Sequence, residues 1–137
     1  MLIKNFMNKN IVSTGKNSKV YEVAKIMKNE GVGSVLIMEK GKLLGIVTDR
    51  DIVVNLEKGC DIKVKEIMSK EVVTIKDNKE LYEASKMLSN KGIKRLPVVN
   101  RKGEVVGVLS MDDIMIVVIT ELSNLADVVV KPSKLID

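Results

Sequence analysis

Two short segments combine residue types that could bind a phosphorylated sugar, Gly45 to Asp51 (GIVTDRD) and Gly107 to Asp113 (GVLSMDD). In each, a hydroxyl residue precedes an aspartate by three positions, Thr48 before Asp51 and Ser110 before Asp113. The free amides and positive dipole end of a helix N-terminus suit phosphate, and a carboxylate can accept hydrogen bonds from ribose hydroxyls. The strand glycine would let a ring approach the backbone. The same residues could instead only cap their helices, so both interpretations stay open.

The composition excludes several kinds of catalysis. The chain has 137 residues, no histidine and a single cysteine, Cys60. Histidine-based acid–base catalysis, histidine metal sites, thiolate clusters and intrachain disulfides are therefore excluded. Asp49, Asp51, Asp112 and Asp113 could hold magnesium together with bound phosphates, but no P-loop or nucleophile–base pair is present. We therefore expect a binding protein and not an enzyme.

The two motifs belong to a tandem repeat that occupies most of the chain. Three pairs of segments align in order: Lys4 to Val12 with Lys65 to Val73, Val20 to Val32 with Leu81 to Ile93, and Gly41 to Ile52 with Gly103 to Ile114. Units of about 60 residues are marginal for independent folding, so the two should pack together. The organisation predicted is a first repeat at 1–60, a second at 61–123 and a tail at 124–137.

Each repeat predicts the order strand, helix, strand, strand, helix. Short β-branched runs at Ile11–Val12 and Val72–Thr74 predict the first strands. Gly31 and Gly92 stand where helix C-caps are expected, and Asp77 with Glu80 suggests a capping box. Later apolar runs predict a hairpin in each repeat, Ser34–Met38 with Leu43–Val47 and Leu96–Val99 with Val105–Leu109. The final helices should begin near Thr48 and Ser110.

These features together resemble a tandem CBS-domain pair, also called a Bateman module, over roughly Ile3 to Leu122. Three features carry the resemblance. They are both G-h-h-[T/S]-x-x-D motifs, in which h is a hydrophobic residue, the K-x-x-M pattern at Lys4–Met7 and Lys65–Met68, and the segment GIKRLPVV at Gly92–Val99. It implies an α+β fold with two β-α-β-β-α repeats packed sheet to sheet in pseudo-twofold symmetry. It also implies two clefts between the repeats, which typically hold AMP, ADP, ATP, S-adenosylmethionine or sometimes NAD, with or without magnesium.

The resemblance implies one set of ligand-binding residues per repeat. In the second repeat the set is Asp113 for ribose, Ser110, Lys94 and Arg95 for phosphate, and Val73, Thr74 and Pro97 around adenine. In the first repeat the equivalent set is Asp51, Thr48, Ile11 and Ser13. Lys94–Arg95 could instead be a solvated strand end, and Pro97 could simply open a strand.

The two implied sites differ in charge. Gly33–Ser34 replace Lys94–Arg95, and Arg50 aligns with Asp112. We expect the second site to suit a multiply phosphorylated ligand better, unless Arg50 compensates at the first.

Partners and location follow from charge and hydropathy. A net charge of +5 permits nucleic-acid binding, but the interleaved 18 acids and only three aromatic residues favour a solvated surface. The longest apolar run, Ile114–Ile119, is too short to span a membrane, and no secretory signal is seen, so we expect a cytoplasmic protein. The same run leaves few polar positions on the last helix. An exposed apolar stripe there would mark an interface, so we expect a homodimer. With no effector domain, signalling would need a partner protein; the alternatives are a nucleic-acid-binding protein and a dimerisation module without nucleotide.

Overall fold

The computed structural model describes residues 1–131 and contains the predicted element order twice. The first repeat contains β1 (Ser13–Thr14), α1 (Val20–Glu30), β2 (Ser34–Glu39), β3 (Lys42–Thr48) and α2 (Asp49–Val54). The second contains β4 (Ile75–Lys76), α3 (Leu81–Lys91), β5 (Arg95–Val99), β6 (Val105–Ser110) and α4 (Met111–Val130). Short 3₁₀ turns occupy Ile3–Asn5, Leu56–Lys58 and Val64–Glu66.

Each repeat forms a three-stranded sheet with the same topology. The middle strand, β2 or β5, pairs parallel with the short first strand and antiparallel with the last one. This confirms the predicted α+β class and both hairpins. The first strands lie slightly later than predicted. Val12 still contributes, because its carbonyl accepts a 3.0 Å hydrogen bond from the Leu36 amide.

The ends of α1 and α3 confirm one kind of predicted helix cap and correct another. Gly31 and Gly92 close α1 and α3 in the left-handed conformation, at φ +66° and +64°, which confirms the predicted caps. The capping box predicted for Asp77 with Glu80 is wrong. Asp77 directly follows β4 and donates its amide to the Val99 carbonyl, so the helix cannot begin there. Glu80 is the N-cap, and the Glu83 carboxylate accepts its amide at 3.0 Å.

The leading segments of the two repeats, residues 3–8 and 64–69, are exchanged between the sheets. Ile3 is fully buried in the core under the second sheet, and its amide donates to the Lys79 carbonyl at 2.9 Å. Val64 is fully buried in the core under the first sheet, and its amide donates to the Ser18 carbonyl at 2.7 Å. Each hydrophobic core therefore contains residues from both repeats.

Both faces of the middle strands are buried. Val35 and Ile37 belong to the first core, while Leu36, which points to the opposite face, is only 2% exposed. In β5, Pro97 occupies the matching position and is also fully buried. Pro97 lies inside the strand and does not open it. Burial on both faces is what packing of the two repeats sheet to sheet requires.

The last helix is the longest element. α4 continues from Met111 to Val130, so the tail predicted from residue 124 begins inside this helix, and its residues 132–137 lie outside the described part. Within residues 1–131, no helix combines the length and hydrophobicity that a bilayer crossing requires.

Candidate ligand-binding clefts

The two hydroxyl–aspartate motifs form matching capping boxes. Thr48 Oγ1 accepts from the Asp51 amide at 3.2 Å, and Asp51 Oδ2 accepts from the Thr48 amide at 2.9 Å. The Ser110–Asp113 pair repeats this geometry at 3.1 and 3.2 Å. The capping interpretation is therefore confirmed for both motifs. Each carboxylate keeps its other oxygen for a further donor such as a ribose hydroxyl.

The first turns of α2 and α4 offer fewer free amides than the motif suggested. In α2, the Asp49 amide donates to the Gly33 carbonyl at 3.0 Å and the Arg50 amide to the Asp49 side chain at 2.8 Å. In α4, the Met111 amide donates to the Lys94 carbonyl at 2.8 Å, and only the Asp112 amide has no protein partner among the described residues. The helix starts themselves therefore leave few amides free to contact an anion.

The glycines of the motifs leave no room for a ligand ring. A Cβ at Gly45 would lie 2.7 Å from Met68 Sδ and 2.8 Å from the Ser69 carbonyl oxygen. At Gly107 the corresponding distances, to Met7 Sδ and the Asn8 carbonyl oxygen, are 2.7 and 2.9 Å. The expected approach of a ring is thus wrong. The exchanged leading segment fills each of these spaces, which explains why both motifs need glycine.

Two clefts lie between the repeats, and each takes walls from both. The first, named the acidic cleft, has a volume of about 210 Å³. Its lining includes Asn8, Asn10 and Ser34 from the first repeat and Ser110, Asp112 and Asp113 from the second. The asparagines reach it because the leading segment crosses the molecule, with Asn8 and Val108 exchanging backbone hydrogen bonds of 3.0 and 2.9 Å.

The second cleft, named the basic cleft, has a volume of about 480 Å³. Thr48, Asp49 and Arg50 come from the first repeat, and Lys94 and Arg95 come from the second. Three cationic side chains therefore face a single lining carboxylate. Both the volume and the few convergent polar groups are typical of a small-molecule site.

Arg95 lines both clefts. Its guanidinium crosses to the first repeat, where a Cβ at Gly33 would lie 2.9 Å from Arg95 Nη2 and 3.2 Å from Asp49 Oδ2. The side chain is partly buried, and no carboxylate within residues 1–131 lies within 4.0 Å of its nitrogens. A partly buried guanidinium without an ion-pair partner is suited to an anionic ligand group.

The structure keeps much of the predicted second-repeat set together, because Arg95, Ser110 and Asp113 line the acidic cleft and Lys94 and Arg95 share a small adjoining pocket with Ser110, and it adds residues of the other repeat to each cleft. Thr48 and Arg50 lie with Lys94 and Arg95, while Ser110 and Asp113 lie with Arg95 and the first repeat's leading residues. Outside both lining sets are Asp51, Ile11, Ser13, Val73, Thr74 and Pro97. Thr48 and Arg50 meet Lys94 and Arg95 because the two repeats face each other, whereas Asn8 reaches the acidic cleft because the leading segment crosses. Asn8 and Asn10 also line the acidic cleft, although no local sequence pattern marks them as site residues.

The comparison with known protein families agrees with this architecture. The sequence profile described as "CBS domain" matches residues 3–58 and again residues 64–120. The chain belongs to the CBS domain family. It carries two CBS domains, and the two clefts lie between them.

Several relatives are similar over much of this CBS pair. CBS domain-containing protein YhcV of Bacillus subtilis is 32% identical over 125 residues, covering 89% of this chain and 86% of YhcV. Uncharacterized protein MK0525 of Methanopyrus kandleri is 33% identical over 112 residues, covering 78% of this chain but 57% of MK0525. This chain thus matches little more than half the length of that relative.

A solved structure has the same architecture. The CBS domain pair of protein MJ0100, solved in complex with 5′-methylthioadenosine and S-adenosyl-L-methionine, superimposes with a TM-score of 0.82 at 27% identity. The match covers 88% of this chain and 98% of that chain.

Proposed function

We propose that this CBS pair is a non-enzymatic regulatory module that binds adenosine-containing ligands in the acidic and basic clefts. The candidate ligands are AMP, ADP, ATP and S-adenosylmethionine. Their binding would be communicated to a partner protein. The observation that carries this proposal is the composition of each cleft, which joins a capped helix start of one repeat to side chains of the other.

This composition gives a physical route from binding to signalling. A ligand in either cleft would contact both repeats, so it would favour one arrangement of the repeats over others. A ligand changes a conformational equilibrium only when it binds the two states with different affinity, and contacts across a boundary provide that difference. The ligands found in the similar MJ0100 pair support the adenosine class.

The residues divide the recognition of such a ligand. The Asp113 carboxylate would accept hydrogen bonds from ribose hydroxyls in the acidic cleft, and the neighbouring Asp51 carboxylate would do so at the basic cleft. In the basic cleft, Lys94, Arg95 and Arg50 would contact phosphate oxygens, for which guanidinium groups are well suited. The acidic cleft is smaller than typical ligand pockets, so a ligand there requires some side-chain movement.

We also propose that the protein acts as a homodimer through α4. Five of the ten exposed large apolar side chains of this helix follow a spacing of three and four residues: Met115, Val118, Leu122, Leu125 and Val129. Their exposed fractions run from 45% to 84%. This is the a/d spacing of a coiled-coil seam, which a second copy could cover. A dimer would place the exposed apolar surface out of contact with water.

A thermal-shift panel tests the proposed function. AMP, ADP, ATP, S-adenosylmethionine, NAD and GTP would each be added at roughly 1 mM, with and without magnesium. A ligand at about 100 times its dissociation constant adds about 2.7 kcal/mol, which raises Tm by several degrees in a domain of this size. We expect a shift with adenosine ligands and none with GTP. The absence of any shift would contradict the proposal.

A further inference from the structure

We infer that the two clefts sort adenosine ligands by charge. The basic cleft takes ligands with an anionic 5′ group, such as a nucleoside phosphate. The acidic cleft takes ligands whose 5′ group is neutral or cationic, such as a thioether or a sulfonium. This inference rests on the proposed function, and it adds a ligand class to each site.

The charges that line the clefts carry the inference. In the basic cleft, Arg50, Lys94 and Arg95 face the carboxylate of Asp49. Counting the nearby Asp51, which caps the same helix, still leaves the cations in excess. In the acidic cleft Arg95 is the only lining cation and faces Asp112 and Asp113, and counting the nearby Lys94, which shares a small pocket with Ser110 and Asp112, brings the charges only into balance.

Two differences between the repeats produce this difference in charge. Arg50 at the start of α2 occupies the position that Asp112 occupies at the start of α4. Gly33 and Ser34 stand before β2 and at its start, where the second repeat has Lys94 and Arg95. The backbone of the two clefts follows the same pseudo-twofold plan, so it does not distinguish them. The side chains alone make one cleft more positive than the other.

The cavity volumes separate a triphosphate from a compact 5′-thioether, whereas S-adenosylmethionine, which is larger than AMP, is assigned by charge alone. The basic cleft, at about 480 Å³, is more than twice as large as the acidic cleft, at about 210 Å³. A phosphate chain needs both the additional space and the cations. At the acidic cleft, a phosphate would meet two carboxylates that repel it, whereas a sulfonium would be attracted to them.

Isothermal titration calorimetry with ATP and with S-adenosylmethionine tests the inference. Each ligand would be titrated alone and then into protein saturated with the other. We expect both to bind simultaneously, with little mutual displacement. Arg50→Asp should weaken ATP about tenfold, and Asp112→Arg should weaken S-adenosylmethionine about tenfold, each leaving the other ligand within about twofold. Both positions are exposed, so neither change threatens folding.

Charge-matched substitutions away from the clefts serve as controls. Lys91→Asp and Glu57→Arg alter exposed residues outside both clefts and should leave both affinities unchanged. Displacement of one ligand by the other, or equal weakening of both by Arg50→Asp, would overturn the charge sorting while adenosine binding itself stands. Failure of both ligands and of adenosine to bind would overturn the proposed function as well.

Discussion

Arg95 is placed where a single side chain can influence both clefts. It leaves the second repeat, lies over Gly33 of the first repeat and has no ion-pair partner within residues 1–131. A guanidinium offers five donors in a fixed planar arrangement, so it can bind two phosphate oxygens at once. Because Gly33 has no side chain, the guanidinium can approach the backbone closely. The position of the Arg95 guanidinium therefore depends on the absence of a side chain at Gly33.

Removing Lys94, which directly precedes β5, together with Arg95, which begins it, should weaken phosphate recognition. In Lys94→Ala/Arg95→Ala, we expect the affinity for AMP to fall at least about tenfold, because hydrogen bonds to charged groups are worth about 1.5–3 kcal/mol. Calorimetric titration measures this loss. Lys91→Ala removes one exposed positive charge outside both clefts and is the control. An unchanged AMP affinity in the double variant would show that the pair does not contact the ligand.

Gly33→Ala tests the approach of Arg95 over the backbone. The added Cβ would meet only the mobile ends of Arg95 and Asp49, so the free energy of unfolding should change by no more than about 0.5 kcal/mol. AMP affinity should nevertheless fall several-fold, because the guanidinium is displaced. Gly15→Ala is a matched control, since its Cβ would also meet only the end of a flexible side chain, the Glu39 carboxylate, at 3.0 Å. Equal AMP affinity in the two variants would contradict the account.

At the scale of single residues, the sequence predicted contacts between residues a few positions apart better than contacts between distant residues. The hydroxyl–aspartate spacing identified both helix caps, because capping depends on residues three positions apart. The purpose of Gly45 and Gly107 was misread, since the methionines that fill their spaces come from the distant leading segments. The grouping of Lys94 with Thr48 was likewise beyond local pattern, because it depends on how the two repeats face each other.

Among the elements, the exchanged leading segments have the widest consequences. They complete the other repeat's core, contact the motif glycine and extend the neighbouring sheet edge, as Ser69 does by exchanging hydrogen bonds of 2.9 and 3.1 Å with Ile46. They also bring Asn8 and Asn10 into the acidic cleft. The fold of each repeat and the shape of the clefts therefore depend on the same two segments.

Ile3→Ala should destabilise the protein although Ile3 lies close to the N-terminus. The side chain is fully buried, so its truncation should cost about 2–5 kcal/mol, and Val64→Ala should cost less because fewer carbons are removed. Urea denaturation at one fixed protein concentration measures both. Leu56→Ala, at a side chain that is 58% exposed, is the control and should change little. If Ile3→Ala were as mild as this control, the exchange of segments would be wrong.

The elements themselves were largely predictable from the sequence. Both hairpins and the C-caps of α1 and α3 follow from apolar runs and glycine positions. The start of α3 was misplaced because Asp77 has a capping residue's chemistry but is held by backbone pairing after β4. The exchange of the leading segments could not be predicted from the repeated sequence. The two segments are similar, so equivalent cores would form whether each segment packed against its own repeat or against the other one.

At the scale of the whole molecule, the pseudo-twofold arrangement leaves more apolar side chains exposed on α4 than on any other described element. Its last two turns carry Leu125, Val128, Val129 and Val130, each at least 62% exposed. Helix α2, the matching element, ends at Val54 and offers no comparable length. The asymmetry makes α4 the natural place for the proposed second copy.

Leu122→Glu/Leu125→Glu should prevent dimerisation. We expect light scattering to give twice the 15.2 kDa chain mass for the unmodified protein and a single chain mass for the variant, because buried like charges disrupt an apolar seam. Glu121→Lys/Asp127→Lys, which alters charged residues of the same helix, is the control and should remain dimeric. A monomeric unmodified protein, or a dimeric Leu122→Glu/Leu125→Glu variant, would contradict the proposed interface.

The central claim is that adenosine ligands bind in clefts shared by both CBS domains. The most direct measurement is an AMP titration followed by amide N–H correlation spectra of isotope-labelled protein. We predict that resonances of Thr48–Arg50 shift together with those of Gly92–Arg95, because these segments line one cleft although they belong to different domains. Shifts confined to one of the two domains, or no shift at saturating AMP, would contradict the account.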